Sequence, residues 1–154
     1  MSTTSAPETF QTGHVGLNVS DLARSQQFYQ GVFGLELGGS SQEAGREFAF
    51  LTRDNTLVLT LWQQSEGQFD TARPGLHHLS FQVGSAAEIG AYAARARALG
   101  APFFHDGIVP HGEGADSGGI FFADPDGIRL EIFSPTGAGT GTAPTAGAPT
   151  CGFF

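Results

Sequence analysis

Alternating polar and apolar positions predict two similar strands in this chain. In the stretch 75–83, positions 78, 80 and 82 are polar while positions 79, 81 and 83 are apolar, which is the period of a half-buried strand. Residues 14–19 show the same alternation, and each polar face begins with a histidine, His14 or His78. We infer that the chain contains a duplicated unit with a site between its two copies.

Each of these strands is followed by apolar residues at helical spacing. The first helix is predicted over 22–33, between an N-cap at Ser20-Asp21 and an end at Gly34, and the second over 86–99. The predicted strands are 13–19, 35–37, 46–52, 56–63, 76–83, 103–104, 120–123 and 128–133. The predicted turns are 38–41, 53–55 and 124–127, and a long loop is predicted over 105–119. Each half therefore has the order β, α, β, β, β.

The chain divides into an arm, one domain and a tail. Residues 1–11 are small and polar, and we expect a flexible arm there. The domain covers 12–135 and contains two modules, about 12–64 and 75–135, joined by a polar linker. From 136 to 150 only Pro, Thr, Gly and Ala occur, so 136–154 is predicted to be a flexible tail with little to bury.

Composition excludes several classes of function. The net charge of −8 and the lack of a basic run argue against a nucleic-acid or anionic-membrane partner. No lysine is present, which removes Schiff-base chemistry, and a single cysteine, Cys151, allows no internal disulfide. No apolar leader or membrane-length run occurs, so a cytoplasmic location is the expectation.

Several motifs together resemble the vicinal oxygen chelate superfamily. That family includes glyoxalase I, bleomycin-resistance proteins, fosfomycin-resistance thiol transferases, methylmalonyl-CoA epimerase and type I extradiol dioxygenases. The resemblance covers about residues 12 to 135, and the matching segments are 14–21, 28–29, 33–37, 77–81 and 124–131. It implies an α+β fold, with two tandem βαβββ modules forming a half-open barrel around a metal site. It also implies a homodimer, in which the ligands of one site come from one chain or from two.

The resemblance places the family's metal ligands on His14, His78 and Glu131. Two neutral imidazoles and one carboxylate, with other positions open, are the pattern of non-haem Fe(II) oxygenases. We therefore expect Fe(II), with Mn, Ni or Zn as alternatives. The competing interpretation is that the two histidines are core or dimer-contact residues. His77 is predicted to lie on the opposite strand face from His78, in a structural role.

Departures from the family bear on the reaction. Glyoxalase I has a fourth ligand, a glutamate, where this sequence has Thr60, which argues against lyase and isomerase chemistry. Extradiol dioxygenases carry a catalytic tyrosine where this chain has Phe121, and their acid–base histidine is absent from 60–63. The long loop offers His111 as a candidate acid or base. The predicted substrate pocket is lined by Phe50, Thr60, Trp62 and Phe121.

The resulting hypothesis is a metal-dependent oxygenase. Its substrate is expected to be an aromatic or enol-type small molecule that chelates the metal through vicinal oxygens, with dioxygen as the second substrate. Two alternatives stay open. One is a glyoxalase-like lyase or isomerase that uses the metal as a Lewis acid. The other is a non-enzymatic resistance protein that sequesters an aromatic compound in the groove between protomers.

Overall fold

Two four-stranded sheets, one from each half of the chain, carry the fold. The computed structural model describes residue 5 and residues 9–154, so most of the predicted 1–11 arm lies outside the described residues. The first half contains β1 (Val15–Val19), α1 (Leu22–Phe33), β2 (Glu36–Ser41), β3 (Phe48–Arg53) and β4 (Thr56–Gln63). The second half contains β5 (Leu79–Gln82), α2 (Ala86–Ala98), β6 (Val109–Pro110), β7 (Gly118–Ala123) and β8 (Arg129–Ser134). The predicted α+β fold of two tandem βαβββ modules is confirmed.

The two sheets repeat the same strand order and register. Their orders are β1-β4-β3-β2 and β5-β8-β7-β6, and in each sheet the first and last strands of the module pair in parallel. In the first sheet Gly16 lies opposite Thr60, and in the second Ser80 lies opposite Glu131. Both pairs stand two residues after the histidine of their module, so Thr60 and Glu131 are structurally equivalent positions. Within the described residues each sheet is open.

Local sequence signals define where the helices begin and end. The Asp21 carboxylate accepts a hydrogen bond of 3.0 Å from the main-chain N–H of Arg24, which caps α1. Gly34 ends the helix with a φ of 66°, a left-handed conformation that glycine adopts without strain. The predicted bounds of α1 are therefore confirmed, while α2 ends at Ala98, one residue early. None of the helices in the described part of the chain is long and apolar enough to cross a membrane.

One core is shared by both modules, because α1 packs against the second module as well as its own sheet. The Phe33 ring lies 4.5 Å from the Phe81 ring and 5.9 Å from the Tyr92 ring, centroid to centroid. Phe28 contacts Phe122 at 6.4 Å. Since strand side chains alternate, each sheet has one face in this core and another face that points away from it. The candidate site residues lie on the faces that point away.

A hydrogen-bonded carboxylate ties α1 to the turn between β7 and β8. The hydroxyl of Tyr29 donates to Asp124 Oδ2 at 2.8 Å, and the N–H groups of Asp126 and Ile128 donate to Asp124 Oδ1 at 2.9 Å. Arg24 adds an ion pair of 2.9 Å to Asp126. Burial raises the pKa of Asp124 to about 6, although its hydrogen bonds oppose that shift.

Several predicted strands, turns and loops differ from the observed structure. Residues 38–41, predicted as a turn, belong to β2, where the pairing with β3 shifts between Leu37 and Ser40. The predicted loop 105–119 contains β6, and the fifth strand begins at Leu79 rather than 76. The predicted strand at 103–104 forms only an isolated bridge to β7. These segments are rich in glycine or too short to show a period, so the pattern carried little information.

The tail packs against the second module, contrary to the expectation that it has little to bury. Ala138 and Thr150 are 1 % and 0 % exposed. The Thr150 hydroxyl donates to the Pro110 carbonyl at 2.6 Å, and its N–H donates to the His111 carbonyl at 2.8 Å. A Cβ atom at Gly118 would lie 2.0 Å from the Ala138 carbonyl oxygen. Small residues in β7 and in the tail therefore allow the two main chains to approach closely, which the composition of the tail did not predict.

The raised pKa of Asp124 predicts a measurable pH effect on stability. A carboxyl whose folded-state pKa lies above its ordinary value of 3.8 destabilises the fold as pH rises from about 4 to 6. We expect Asp124→Asn to remove that contribution. The free energy of unfolding of Asp124→Asn, minus that of the unsubstituted chain, should increase between about pH 4 and 6 by up to about 3 kcal/mol. Urea unfolding at half-unit pH steps measures the difference.

The matched control for this experiment is Asp106→Asn, which removes one exposed carboxylate near Arg97. Its stability difference from the unsubstituted chain should stay nearly constant with pH, because an exposed group keeps similar surroundings on unfolding. Equal pH profiles for Asp124→Asn and Asp106→Asn would show that folding leaves the pKa of the buried carboxyl at its ordinary value, against the expectation.

Candidate metal centre

The buried carboxylate of Glu131 is the centre of the candidate site. Its neighbours on β8, Leu130 and Ile132, are fully buried in the core, so Glu131 faces the other side of the second sheet. Glu131 is nevertheless only 3 % exposed. A buried carboxylate is costly unless it is paired or hydrogen-bonded, which makes its partners informative.

Two histidines contact this carboxylate, one on each oxygen. His78 Nε2 lies 3.1 Å from Glu131 Oε2, and His111 Nε2 lies 2.6 Å from Oε1. The other ring nitrogen of His111 is 2.9 Å from the Ser117 hydroxyl oxygen, which holds the ring in place. The structure thus brings together two of the three predicted ligands and the candidate acid–base residue.

The environment of His78 favours its neutral form. Burial lowers the pKa of His78, and the negative charge of Glu131 opposes that shift. Neutral imidazole is the form that binds metal ions. His77 Nδ1 lies 2.8 Å from His78 Nδ1, so the prediction that the two rings lie on opposite faces is wrong. Both residues precede β5, which begins at Leu79, and strand alternation does not govern them.

The third predicted ligand lies apart from these residues. His14 is exposed and precedes β1, at the edge of the first sheet. In the described part of this single chain, no group of three His, Cys, Asp or Glu side chains is arranged to hold a metal ion: His78 and His111 pair with Glu131, and His14 does not join them. The geometry explains this, because the site-bearing faces of both sheets point away from the shared core rather than toward each other.

The predicted pocket residues are also divided between the sheets. On the first sheet, the rings of Phe50 and Trp62 are 5.9 Å apart, and Phe48 packs on both at 5.0 and 5.5 Å. The Trp62 Nε1–H donates to the Thr60 hydroxyl at 2.9 Å. Phe121 belongs to the second sheet, directly opposite Glu131 in the β7–β8 pairing. One chain therefore presents two separate aromatic faces.

The tail covers the aromatic face of the second sheet. The Phe154 ring lies 4.7 Å from Phe121 and 5.6 Å from His78, centroid to centroid. Near it, burial first and the negative charge of Glu131 second raise the pKa of the Cys151 thiol. Neither residue was predicted to lie at the site, since a tail of small residues gives no signal of where it docks.

Arg129 is a further site residue that sequence reasoning missed. Its Nε donates to the His77 carbonyl at 3.0 Å, and its Nη1 donates to the main-chain oxygen of Phe154 at 2.9 Å. Arg129 stands two positions before Glu131 on β8, so the period of two places both on one face. That spacing of two residues is the sequence signal from which Arg129 could have been predicted to lie at the site. It puts a guanidinium beside the candidate ligands.

Comparison with known proteins identifies the family. A family model described as the Glyoxalase/Bleomycin resistance protein/Dioxygenase superfamily matches residues 11–132. The chain therefore belongs to this superfamily. Its members carry out different chemistries on one fold, so membership does not specify a reaction.

Particular relatives point in more than one direction. A catechol-2,3-dioxygenase of Bacillus subtilis (strain 168) is 28 % identical over 134 residues, which are 85 % of this chain but only 44 % of that protein. The glyoxylase/bleomycin resistance protein/dioxygenase domain from Frankia sp. EAN1pec has a TM-score of 0.70 at 28 % identity, covering 82 % of this chain and 93 % of that one. The fosfomycin resistance protein FosX from Listeria monocytogenes, solved with Mn(II) and sulfate, has a TM-score of 0.63 at 20 % identity, covering 85 % and 95 %.

Proposed function

We propose that this protein is a divalent-metal oxygenase, with Fe(II) as its metal. Its substrate is an aromatic or enol-type compound held through vicinal oxygens, and dioxygen is the second substrate. The observation that carries the proposal is the convergence of His78 and His111 on the buried carboxylate of Glu131. The likeness to a catechol-2,3-dioxygenase supports it over other reactions of the superfamily.

The donor atoms of the second sheet suit a divalent cation. A neutral imidazole at His78 and a carboxylate at Glu131 are 3.1 Å apart and already oriented toward each other. A cation would replace the proton shared between them, which is common where ligands pair in a metal-free site. A divalent metal held there would supply charge stabilisation and, in the case of iron, a redox couple for dioxygen chemistry.

His111 is the residue best placed to move a proton at this site. Its Nε2 shares a hydrogen bond with Glu131, and its Nδ1 is fixed by the Ser117 hydroxyl. Glu131 and His78 would hold such a metal, and His111 Nε2 would be placed to accept a proton from a substrate hydroxyl and later return it. In this proposal His111 acts as the acid and base. Phe121, at the position of the catalytic tyrosine, has no hydroxyl group and cannot take this role.

The third ligand, His14, would come from a second copy of the chain. Within one chain, the face of the second sheet that carries Glu131 points away from His14. Thr60 and Glu131 occupy equivalent positions, so the two modules have matching faces. A homodimer that sets the first sheet of one chain against the second sheet of its partner completes two sites. The homodimer and the cytoplasmic location remain predictions of this proposal.

A binding protein without catalysis is the second candidate. The observation that favours it is the half-buried cluster of Phe48, Phe50 and Trp62, which offers a flat aromatic compound a stacking surface. A lyase is less favoured, because Thr60 stands where such enzymes place a carboxylate ligand. Ligand binding that is unaffected by a chelator, with no turnover under dioxygen, would identify the binding protein.

Metal content of mixed chains tests both the ligands and the two-chain site. We expect His14→Ala and Glu131→Ala each to lose stoichiometric Fe(II), because three ligands leave none to spare. Refolding the two variants together should restore about one metal per mixed dimer, since one of its sites then contains all three ligands. Inductively coupled plasma mass spectrometry of tag-separated mixed dimers measures this content.

The control variant for the mixed chains is His105→Ala, which removes a histidine of the same module that does not contact Glu131. It should retain full metal content. Mixed dimers that stay as metal-poor as the parent variants would place all ligands within one chain. Full metal in Glu131→Ala alone would remove Glu131 from the site.

Thr60→Glu separates oxygenase from lyase. We expect the variant to retain metal, because a fourth ligand, a second carboxylate, strengthens the site. We expect dioxygen-dependent turnover to fall at least about tenfold, a barrier change of about 1.4 kcal/mol, because the added ligand fills a position the substrates need. Oxygen uptake with catechol and 3-methylcatechol measures the rate.

Thr60→Val is the matched control, since it loses the hydroxyl that accepts from Trp62 but adds no ligand. It should reduce turnover far less than Thr60→Glu. A Thr60→Glu protein that turns over at full rate, or that gains activity without dioxygen, would favour the lyase.

A further inference from the structure

The ring of Phe154 occupies a well-defined position beside the candidate ligands. We use "aromatic slot" for the space that this ring fills, whose walls are Phe104, Phe121 and His78, at centroid distances of 5.3, 4.7 and 5.6 Å. These spacings are the ones aromatic pairs prefer, and the rings meet at angles of 53° to 74°. The slot therefore recognises a planar ring, whichever molecule supplies it.

A cation stands at one end of this slot. The Arg129 guanidinium carbon is 5.2 Å from the Phe154 ring centroid, and Nη1 donates to the Phe154 main-chain oxygen. No Asp or Glu carboxylate among residues 9–154 lies within ion-pair distance of Arg129. The guanidinium thus holds an aromatic residue by its ring and its main-chain oxygen, and no Asp or Glu side chain of residues 9–154 pairs with it.

A further polar atom near the slot lacks a partner. The His105 ring meets Phe121 edge-on at 5.7 Å, and its Nε2 is buried without a hydrogen bond to any described residue. A buried polar atom left without a partner is unfavourable, and such atoms in native structures commonly pair with a bound molecule. A ligand that carries a hydroxyl group would give this atom a partner.

We propose that the aromatic slot is the substrate's ring-binding position, and that Arg129 binds a carboxylate carried by that ring. Phe154 then acts as an internal stand-in, and the substrate class is an aromatic carboxylic acid. This inference rests on the proposed function, in that it places the ring beside His78 and Glu131. Arg129 is here a specificity-determining residue, since it selects an anionic aromatic compound over a neutral one.

The proposal requires the tail to leave the slot when the substrate enters. Its attachment near the slot consists of a few local contacts, chiefly the two Thr150 hydrogen bonds and the Arg129 contact with Phe154. The side chain of Phe153 is 59 % exposed and adds little to this attachment. Phe154 and the substrate therefore compete for one position, and removing the ring should strengthen substrate binding.

Binding of phenylacetate to the full-length, metal-free protein tests the proposal. Isothermal titration calorimetry in the presence of EDTA gives the dissociation constant for the unsubstituted chain, Phe154→Ala, and Phe154→Ala combined with Arg129→Gln. We expect Phe154→Ala to bind phenylacetate at least about fivefold more tightly than the unsubstituted chain. Adding Arg129→Gln should then weaken binding by about tenfold or more, as for loss of a charged hydrogen bond.

Four comparisons make the result specific. Arg73→Gln removes an equal charge from an exposed arginine that pairs with Asp70, and it should leave phenylacetate binding unchanged. Cyclohexylacetate should bind more weakly than phenylacetate, because it lacks the flat ring, and benzyl alcohol more weakly because it lacks the charge. Arg129→Lys, which keeps the charge, should recover part of the affinity, and thermal unfolding confirms that each variant is folded.

Several results would overturn the proposal. Weaker or unchanged phenylacetate binding in Phe154→Ala would mean that the ring is part of the pocket wall or lies outside it. Equal binding of benzyl alcohol, or no effect of Arg129→Gln, would remove Arg129 as the carboxylate-binding residue. Because this experiment contains no metal, its failure is distinct from failure of the metal-content experiment, which tests the oxygenase proposal alone.

Discussion

The hydrogen bond from Tyr29 to the buried Asp124 is the constraint on which the site depends. It joins the helix of the first module to the turn that leads into β8, and the same carboxyl accepts from the N–H groups of Asp126 and Ile128. With the turn fixed in this way, β8 enters the sheet in a single register. That register directs Glu131 to the outer face while its neighbours fill the core. This contact therefore helps to fix the register that places Glu131 on the face of the candidate site.

The duplicated modules have equivalent backbones but different chemistry. Thr60 and Glu131 occupy the same register, yet Thr60 satisfies its hydroxyl with Trp62 whereas Glu131 needs two histidines. Burying a carboxylate is costly, so only the module that also supplies imidazoles can carry one. The first module instead provides an aromatic face. Specialisation of the two halves follows from how each satisfies its buried polar group.

Much of the fold could be predicted from the sequence, since it rests on local signals. The caps at Ser20-Asp21 and Gly34 defined α1, and the turn at 53–55 defined the start of β4, whose predicted and observed bounds agree. The grouping of His78 with Glu131 followed from the resemblance to the superfamily. The site's remaining features depend on contacts between distant segments. The tail docks through the close approach of small residues, and the sequence 136–154 has no periodicity that would predict this contact.

The charges of this protein have opposite effects on an anionic ligand at long and at short distance. A net charge of −8 repels an anionic compound from the surface, but salt screens that field beyond about 8 Å. Arg129 acts at contact distance in a partly desolvated position, where a charged hydrogen bond counts for more. An acidic protein with a guanidinium beside buried carboxylate and imidazole groups can therefore bind an anion selectively at that position without attracting anions in general. Selectivity of this kind depends on where one cation stands and on what covers it, and the same tail ring covers both the cation and the candidate ligands.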